Sequence, residues 1–338
     1  MMVLGRELRL NAHAKTLLRI LVVVAAYFAG AKVGLMLALV EGQVTPLWPP
    51  TGIAIASLFL WGPRVWPGIT IGAFLANISV VPSFLAITAI AVGNTAAAVA
   101  AYLLLRAVGF RKEIDRLRDG VALVFLGAFA AMLISATIGT AAVVLTGPPA
   151  TTGFWPTWSV WWTGDAMGVL VVCPLILAIS TAKSPWRQRR GWLFELVALF
   201  LGTSVVSVLA TWSPSDLLCL AFPFLIWASL RFQLIGAAPC ALIVSCIALL
   251  AAAEEGIGAF GDTSLLVEMI TLQVFNGSVA LTALLLSAIT TERDEASRAV
   301  ERACTQLAGA VARYESDSTL LKGRLLDSVR AAQRRQGT

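Results

Sequence analysis

The run Leu47–Ser79, LWPPTGIAIASLFLWGPRVWPGITIGAFLANIS, decides how this chain is read. It is apolar enough for a lipid bilayer, yet Pro49, Pro50, Gly52, Gly62, Pro63, Pro67 and Gly68 interrupt it. An unsatisfied backbone group facing hydrocarbon is costly, so such punctuation belongs at helix ends or against protein. The residues read as two short helices, 48–61 and 65–81, joined in a tight hairpin at Gly62-Pro63-Arg64. Pro49 and Pro50 suit a helix start, where a missing N–H costs least, and Pro67 opens the second helix in the same way. Arg64 is read as a structural anchor at the turn, hydrated or capping carbonyls at the end of the first helix. Gly52, Gly68 and Gly72 permit close backbone approach.

The rest of the chain agrees with a membrane setting. Of 338 residues, 58% are hydrophobic and 13% charged, with a mean hydropathy of +0.84. A soluble domain carries about 25% charged residues, which excludes that class. At about 20 residues per crossing, candidate segments lie near 17–40, 48–61, 65–81, 84–105, 120–145, 158–181, 193–212, 216–230, 234–253 and 264–290. The expected fold is therefore all-α: a polytopic transmembrane helical bundle of about ten segments, or about eight full spans if one short pair is re-entrant. Residues 1–16 form a cytoplasmic N-terminal segment, 17–290 an integral membrane domain, and 291–338 a cytoplasmic amphipathic helix. The first apolar run continues to Val40, too long for a typical signal-peptide core, and is read as an uncleaved anchor.

Charge sets the expected orientation. With the N-terminus inside and every segment crossing, only Lys32 of the 25 Lys and Arg residues escapes the cytoplasmic side. The outer loops then hold Glu41, Asp216, Glu254, Glu255 and Asp262 and no base. The positive-inside rule accounts for this, with both termini cytoplasmic in a bacterial inner membrane. The net charge of +6 is thus a topology signal and not a nucleic-acid footprint.

No catalytic constellation and no metal site is expected. His13 is the one histidine, so neither a histidine triad nor a multi-histidine centre can be built. There is no phosphate loop, and no cofactor is implied. Four of the five cysteines, Cys173, Cys219, Cys240 and Cys246, fall in apolar segments without a CxxC pair. They read as small buried hydrophobes.

Intramembrane polar groups are the better lead, because they are expensive and face a cavity or a partner. Lys32, Asn77, Asp165 and Glu268 fall in the outer half on this topology, with Asn94 and Asn276 nearer the middle. Lys32 and Asp165 share a depth, which suggests a buried ion pair, either purely structural or part of a pocket. The candidate pocket comprises Lys32, Asn77, Asn94 and Asp165, with Trp48, Trp161 and Trp162 as walls.

Two patterns lie outside that cluster. A shift of 172 residues places Ala56-Ser57-Leu58 on Ala228-Ser229-Leu230 and Pro67 on Pro239. This is either a parallel duplication of the kind membrane folds use or chance among common residues. In the tail, Val300, Leu307, Tyr314 and Leu321 recur every seven residues, with Cys304, Val311 and Leu325 on the adjacent line. That seam reads as a short dimerising coiled coil, or as one helix lying on the membrane block.

Three stretches together resemble a known family. They are the opening run, WSVWWTGDAMGVLVVCPLILAI at 158–179, and FPFLIWASLRFQLIGAAP at 222–239. In that order they resemble the signatures of the bacterial membrane-associated sensor 1 domain family, over about 17–290. The resemblance implies an integral inner-membrane sensory domain that precedes an output module such as a histidine kinase or a cyclic-di-GMP enzyme. After Thr290 there is no Gly-Gly-Asp-Glu-Phe run, no Glu-Ala-Leu motif and no phosphoacceptor histidine. The expectation is therefore a non-enzymatic sensor. It relays a small-ligand or membrane-partner signal to a separate kinase, cyclase or response regulator, or its own output domain was lost. A small-solute transporter is the rival reading, since broken helices and repeats fit that class, and a recruiting scaffold is a third.

Overall fold

A computed structural model describes residues 2–36, 46–146, 153–181, 191–212, 217–253 and 265–336. The acidic residues Glu41, Asp216, Glu254, Glu255 and Asp262 lie outside the described residues, as do the bases at 183–190 and the side chains of Glu268, Leu321 and Leu325. Among the described residues every regular element is helical. In chain order they are α1 (Met2–Met36), α2 (Pro49–Trp61), α3 (Trp66–Asn77), α4 (Phe84–Ala107), α5 (Leu117–Ala122), α6 (Ala131–Thr146), α7 (Phe154–Met167), α8 (Cys173–Thr181), α9 (Trp192–Trp212), α10 (Ala221–Phe232), α11 (Leu234–Ala253) and α12 (Leu265–Gln336). A π-helical stretch, Leu123–Ala130, joins α5 to α6, and a second, Gly168–Val172, joins α7 to α8.

Among the described residues seven helical runs are long and apolar enough to cross a membrane: His13–Met36, Phe84–Ala107, Leu117–Thr146, Phe154–Thr181, Trp192–Trp212, Leu234–Ala252 and Ile270–Val311. With the three short apolar helices α2, α3 and α10 they make up the ten segments expected. Helices α2, α3 and α10 have 13, 12 and 12 residues. At 1.5 Å per residue they reach only about 18–20 Å, against a hydrocarbon core of about 30 Å. Local chemistry stops each one. Gly62 ends α2 with φ 84°, its N–H donating to the Leu58 carbonyl at 3.0 Å. Helix α3 gives way to a turn ahead of Pro82, as residues before proline disfavour helix. Gln233, at φ 55°, ends α10, and α11 begins at the next residue.

The short α2 is the most enclosed of these elements. It packs against α1, α4, α7, α8 and the second π stretch, and its residues from Pro49 to Ser57 are buried except Ile53. The proline-rich run is tolerated because its free backbone ends meet protein, not lipid. The outward surface is apolar, with Phe84, Phe194 and Leu145 72%, 81% and 82% exposed, as lipid contact requires. The interior is rich in alanine, including Ala54, Ala56, Ala73, Ala97, Ala98 and Ala101. Small residues let membrane helices approach closely.

The chain divides into two compact units, Met1–Thr290 and Thr291–Thr338. In the second, the chain is helical to Gln336, and Val300, Leu307, Val311 and Tyr314 are all exposed. The two members of the 172-residue match differ in setting. Pro67 stands in the first turn of α3, whereas Pro239 lies inside α11.

Candidate functional site

Glycine places α2 against the second π stretch. A Cβ on Gly52 would lie 2.2 Å from the Gly168 carbonyl oxygen, and one on Gly168 would lie 2.0 Å from the Trp48 carbonyl oxygen. Neither position has room for any other residue. The Trp48 N–H donates to the Gly164 carbonyl at 3.0 Å, so the entrance of α2 is fastened to α7. Gly72 performs the same service for α3, where a Cβ would meet Tyr27 of α1 at 2.8 Å.

This packing brings Asp165 to the N-terminus of α2. Asp165 is 1% exposed. Its Oδ1 accepts from the Thr51 hydroxyl at 2.5 Å, and its Oδ2 accepts from the Ser135 hydroxyl. Ser135 has one hydrogen and a second acceptor within reach, the Met132 carbonyl at 3.1 Å. The positive end of the α2 dipole favours a carboxylate in this position.

Beside Asp165 lies a small cavity with an open mouth. Leu35, Trp48, Ala76, Asn77, Val80, Ile90, Asn94, Trp161, Gly164 and Asp165 line it. Leu35, Ala76 and Asn77 come from the C-terminal ends of α1 and α3, and Trp48 stands just ahead of α2. Asn94 Nδ2 donates to the Tyr27 hydroxyl at 3.1 Å, while its Oδ1 is buried without a partner. Asn77 Nδ2 donates to the Ala73 carbonyl at 2.8 Å. The Trp161 ring lies over Gly139 of α6, where a Cβ would meet it at 2.5 Å.

Five of the seven residues expected near a ligand therefore meet at one cavity: Trp48, Asn77, Asn94, Trp161 and Asp165. Two do not. Lys32 makes no ion pair with Asp165; its ammonium lies 5.2 Å from the centre of the Phe28 ring, four residues earlier on α1. The buried stripe of α1 is Val23, Tyr27 and Ala31, so Lys32 sits one residue, or about 100°, off it. Trp162 donates from Nε1 to the Phe129 carbonyl at 2.9 Å and stacks on Trp158 with ring centres 5.8 Å apart. It braces the first π stretch and does not line the cavity. Arg64 is exposed at the turn after α2, the hydrated alternative.

The hydroxyls of Thr51 and Ser135 were not anticipated. Thr51 carries a faint signal, standing directly after the Pro49-Pro50 helix start, but Ser135 has none beyond being a polar side chain in an apolar run. Leu35, Ala76, Val80, Ile90 and Gly164 complete the lining.

Comparison with known proteins yields one relationship. The family model MASE1, an integral membrane sensory domain found in histidine kinases and cyclic-di-GMP enzymes, matches residues 18–294. No curated protein and no solved structure matches the chain.

Proposed function

The chain belongs to the MASE1 family of membrane sensory domains, and from that premise we propose that it is a non-enzymatic sensor whose ligand enters the Asp165 cavity. The observation that carries this reading is the convergence of Trp48, Asn77, Asn94, Trp161 and Asp165 on one cavity inside an otherwise apolar bundle. Polar side chains at such depth are expensive and mark sites by default. In the proposed orientation the cavity opens toward the outer face of the bacterial inner membrane and both termini are cytoplasmic, as the distribution of basic residues favours.

A route from cavity to output helix supports a relay. Gln273, on α12, donates from Nε2 to the Pro46 carbonyl at 3.1 Å, two residues before Trp48. From there α12 buries Leu272, Asn276, Val279, Ala280, Ala283, Leu284, Ser287 and Ala288, a stripe of helical period. Ligand binding needs only to favour one packing of this stripe over another. Beyond Thr290 the exposed Val300, Leu307, Val311 and Tyr314 offer a seam for a second copy of the chain. The paired tails would then present the signal to a separate kinase, cyclase or response regulator.

The test fills the cavity without a ligand. Ala76→Phe and Gly164→Leu are introduced into a Cys219→Ser background, which leaves Cys304 as the one exposed cysteine among the described residues. In membranes, each filling substitution is expected to change the yield of Cys304–Cys304 crosslinks between chains. A yield unchanged in both, with the protein folded, removes the cavity from the signalling path.

A further inference from the structure

Resting on the reading of this cavity as the sensory site, we infer that it takes a small organic ammonium ion, a protonated amine with N–H groups to donate. The cavity offers acceptors to a ligand. Asp165 presents a carboxylate, and Asn94 lines the cavity with its buried Oδ1 unpartnered, while one of its two Nδ2 hydrogens goes to Tyr27. Asn77 gives one Nδ2 hydrogen to the Ala73 carbonyl and keeps its oxygen available. Among the described residues no Lys or Arg lines the cavity, and no base pairs with Asp165.

The electrostatics point the same way. A buried carboxylate without a counter-charge is costly, and two hydroxyls and a helix end compensate only part of that cost. A cation arriving in the cavity supplies the missing charge, so affinity comes from a deficit already built into the fold. An anion would meet the buried carboxylate with no base beside it, and is refused. The walls discriminate further. Trp48 and Trp161 line the cavity, and aromatic rings attract an organic cation through the ring quadrupole but offer a bare metal ion no oxygen ligands. The lining that remains, Leu35 and Ile90 among it, suits the alkyl part of an amine.

The experiment uses the full chain in lipid nanodiscs and follows thermal unfolding with ethylammonium chloride, sodium chloride, ethanol and acetate as probes. Ethylammonium is expected to raise the midpoint in proportion to the logarithm of its concentration, as selective binding to the folded state requires, and the other three are not. Asn94→Leu should weaken the response about tenfold or more, since it removes a hydrogen bond to a charged group. Asp165→Asn should abolish it. Should Asp165→Asn fail to fold, Asn94→Leu and Trp161→Leu still decide the matter. Equal stabilisation by sodium makes this a metal-ion site and overturns the inference, as does an ethylammonium response undiminished in Asn94→Leu and Trp161→Leu. No ethylammonium response at all, while the cavity-filling variants still alter Cys304 crosslinking, overturns the ammonium ligand and leaves the sensory cavity standing. If those variants change nothing either, the cavity itself is the error.

Discussion

The guanidinium of Arg231, in the last turn of α10, donates to both carboxylate oxygens of Glu195, in the first turn of α9, at 2.5 and 2.7 Å. Each charge also sits at the helix end its dipole favours. The pair joins the beginning of one helix to the end of the next, so α10 returns the chain to the side from which α9 set out. It does so with 12 residues against the 21 of α9.

This makes the topology testable. The hairpin of α2 and α3 cancels in direction, and the seven long helices among the described residues plus α10 give an even number of passages. Both termini are then expected on the same side. Cysteines placed at Thr151 and Ser184 should react with an impermeant thiol reagent from opposite faces, Thr151 from outside. Labelling of Ser184→Cys from outside, or none at Thr151→Cys, would reverse the orientation.

Lys32 and Asp165 are expected to behave as independent sites. Lys32→Met loses a cation–π contact of about 0.5–1 kcal/mol. Asp165→Leu strands the Thr51 hydroxyl, at about 1–3 kcal/mol. Because the two side chains share no partner, their coupling in a double-mutant cycle should stay under about 0.5 kcal/mol. Reversible unfolding in mixed detergent measures it. A coupling of several kcal/mol would restore the ion pair that the structure does not show.

Glycine substitutions should divide sharply. Gly52→Ala and Gly168→Ala each drive a methyl group into a backbone carbonyl oxygen, so α2 must move away from the π stretch. A loss above about 3 kcal/mol is expected, since overpacking here displaces backbone and not a flexible side chain. Gly309→Ala, with nothing within 4 Å of its Cβ, should be neutral or gain about 1 kcal/mol of helix propensity. Unfolding midpoints of the three variants give the comparison.

The tail makes a separate forecast. Leu307 is 66% exposed on the heptad line, and Leu307→Asp should abolish crosslinking through Cys304 while the membrane unit keeps its unfolding midpoint. A persistent crosslink would mean that the seam does not pair two chains.

What was legible in the sequence was depth along each helix; rotation about its axis was not. Proline and glycine marked the ends of α2 and α3, and the alternation of apolar run and polar loop located every long helix. Lys32 and Asp165 read at the same depth, which is why they invited pairing. But about 100° of rotation separates Lys32 from Ala31, and a largely apolar helix carries too little amphipathic contrast to reveal it. Trp161 and Trp162 failed in the same way: adjacent in sequence, one faces the cavity and the other a π-helical carbonyl. The two π stretches had no signal at all, since an extra residue per turn leaves composition unchanged.

Those stretches constrain how this chain can vary. A π segment holds a surplus residue that an ordinary helix would not need. The widened turn absorbs that residue locally, so the helix on either side keeps its register. Deleting one residue from Leu123–Ala130 therefore lets the segment tighten to α geometry and leaves Ser135, five residues past it, facing Asp165. The regular α-helix at 131–134 holds no such surplus. A deletion there re-indexes Ser135 by about 100° and takes its hydroxyl from the carboxylate, although no atom of the site has been changed.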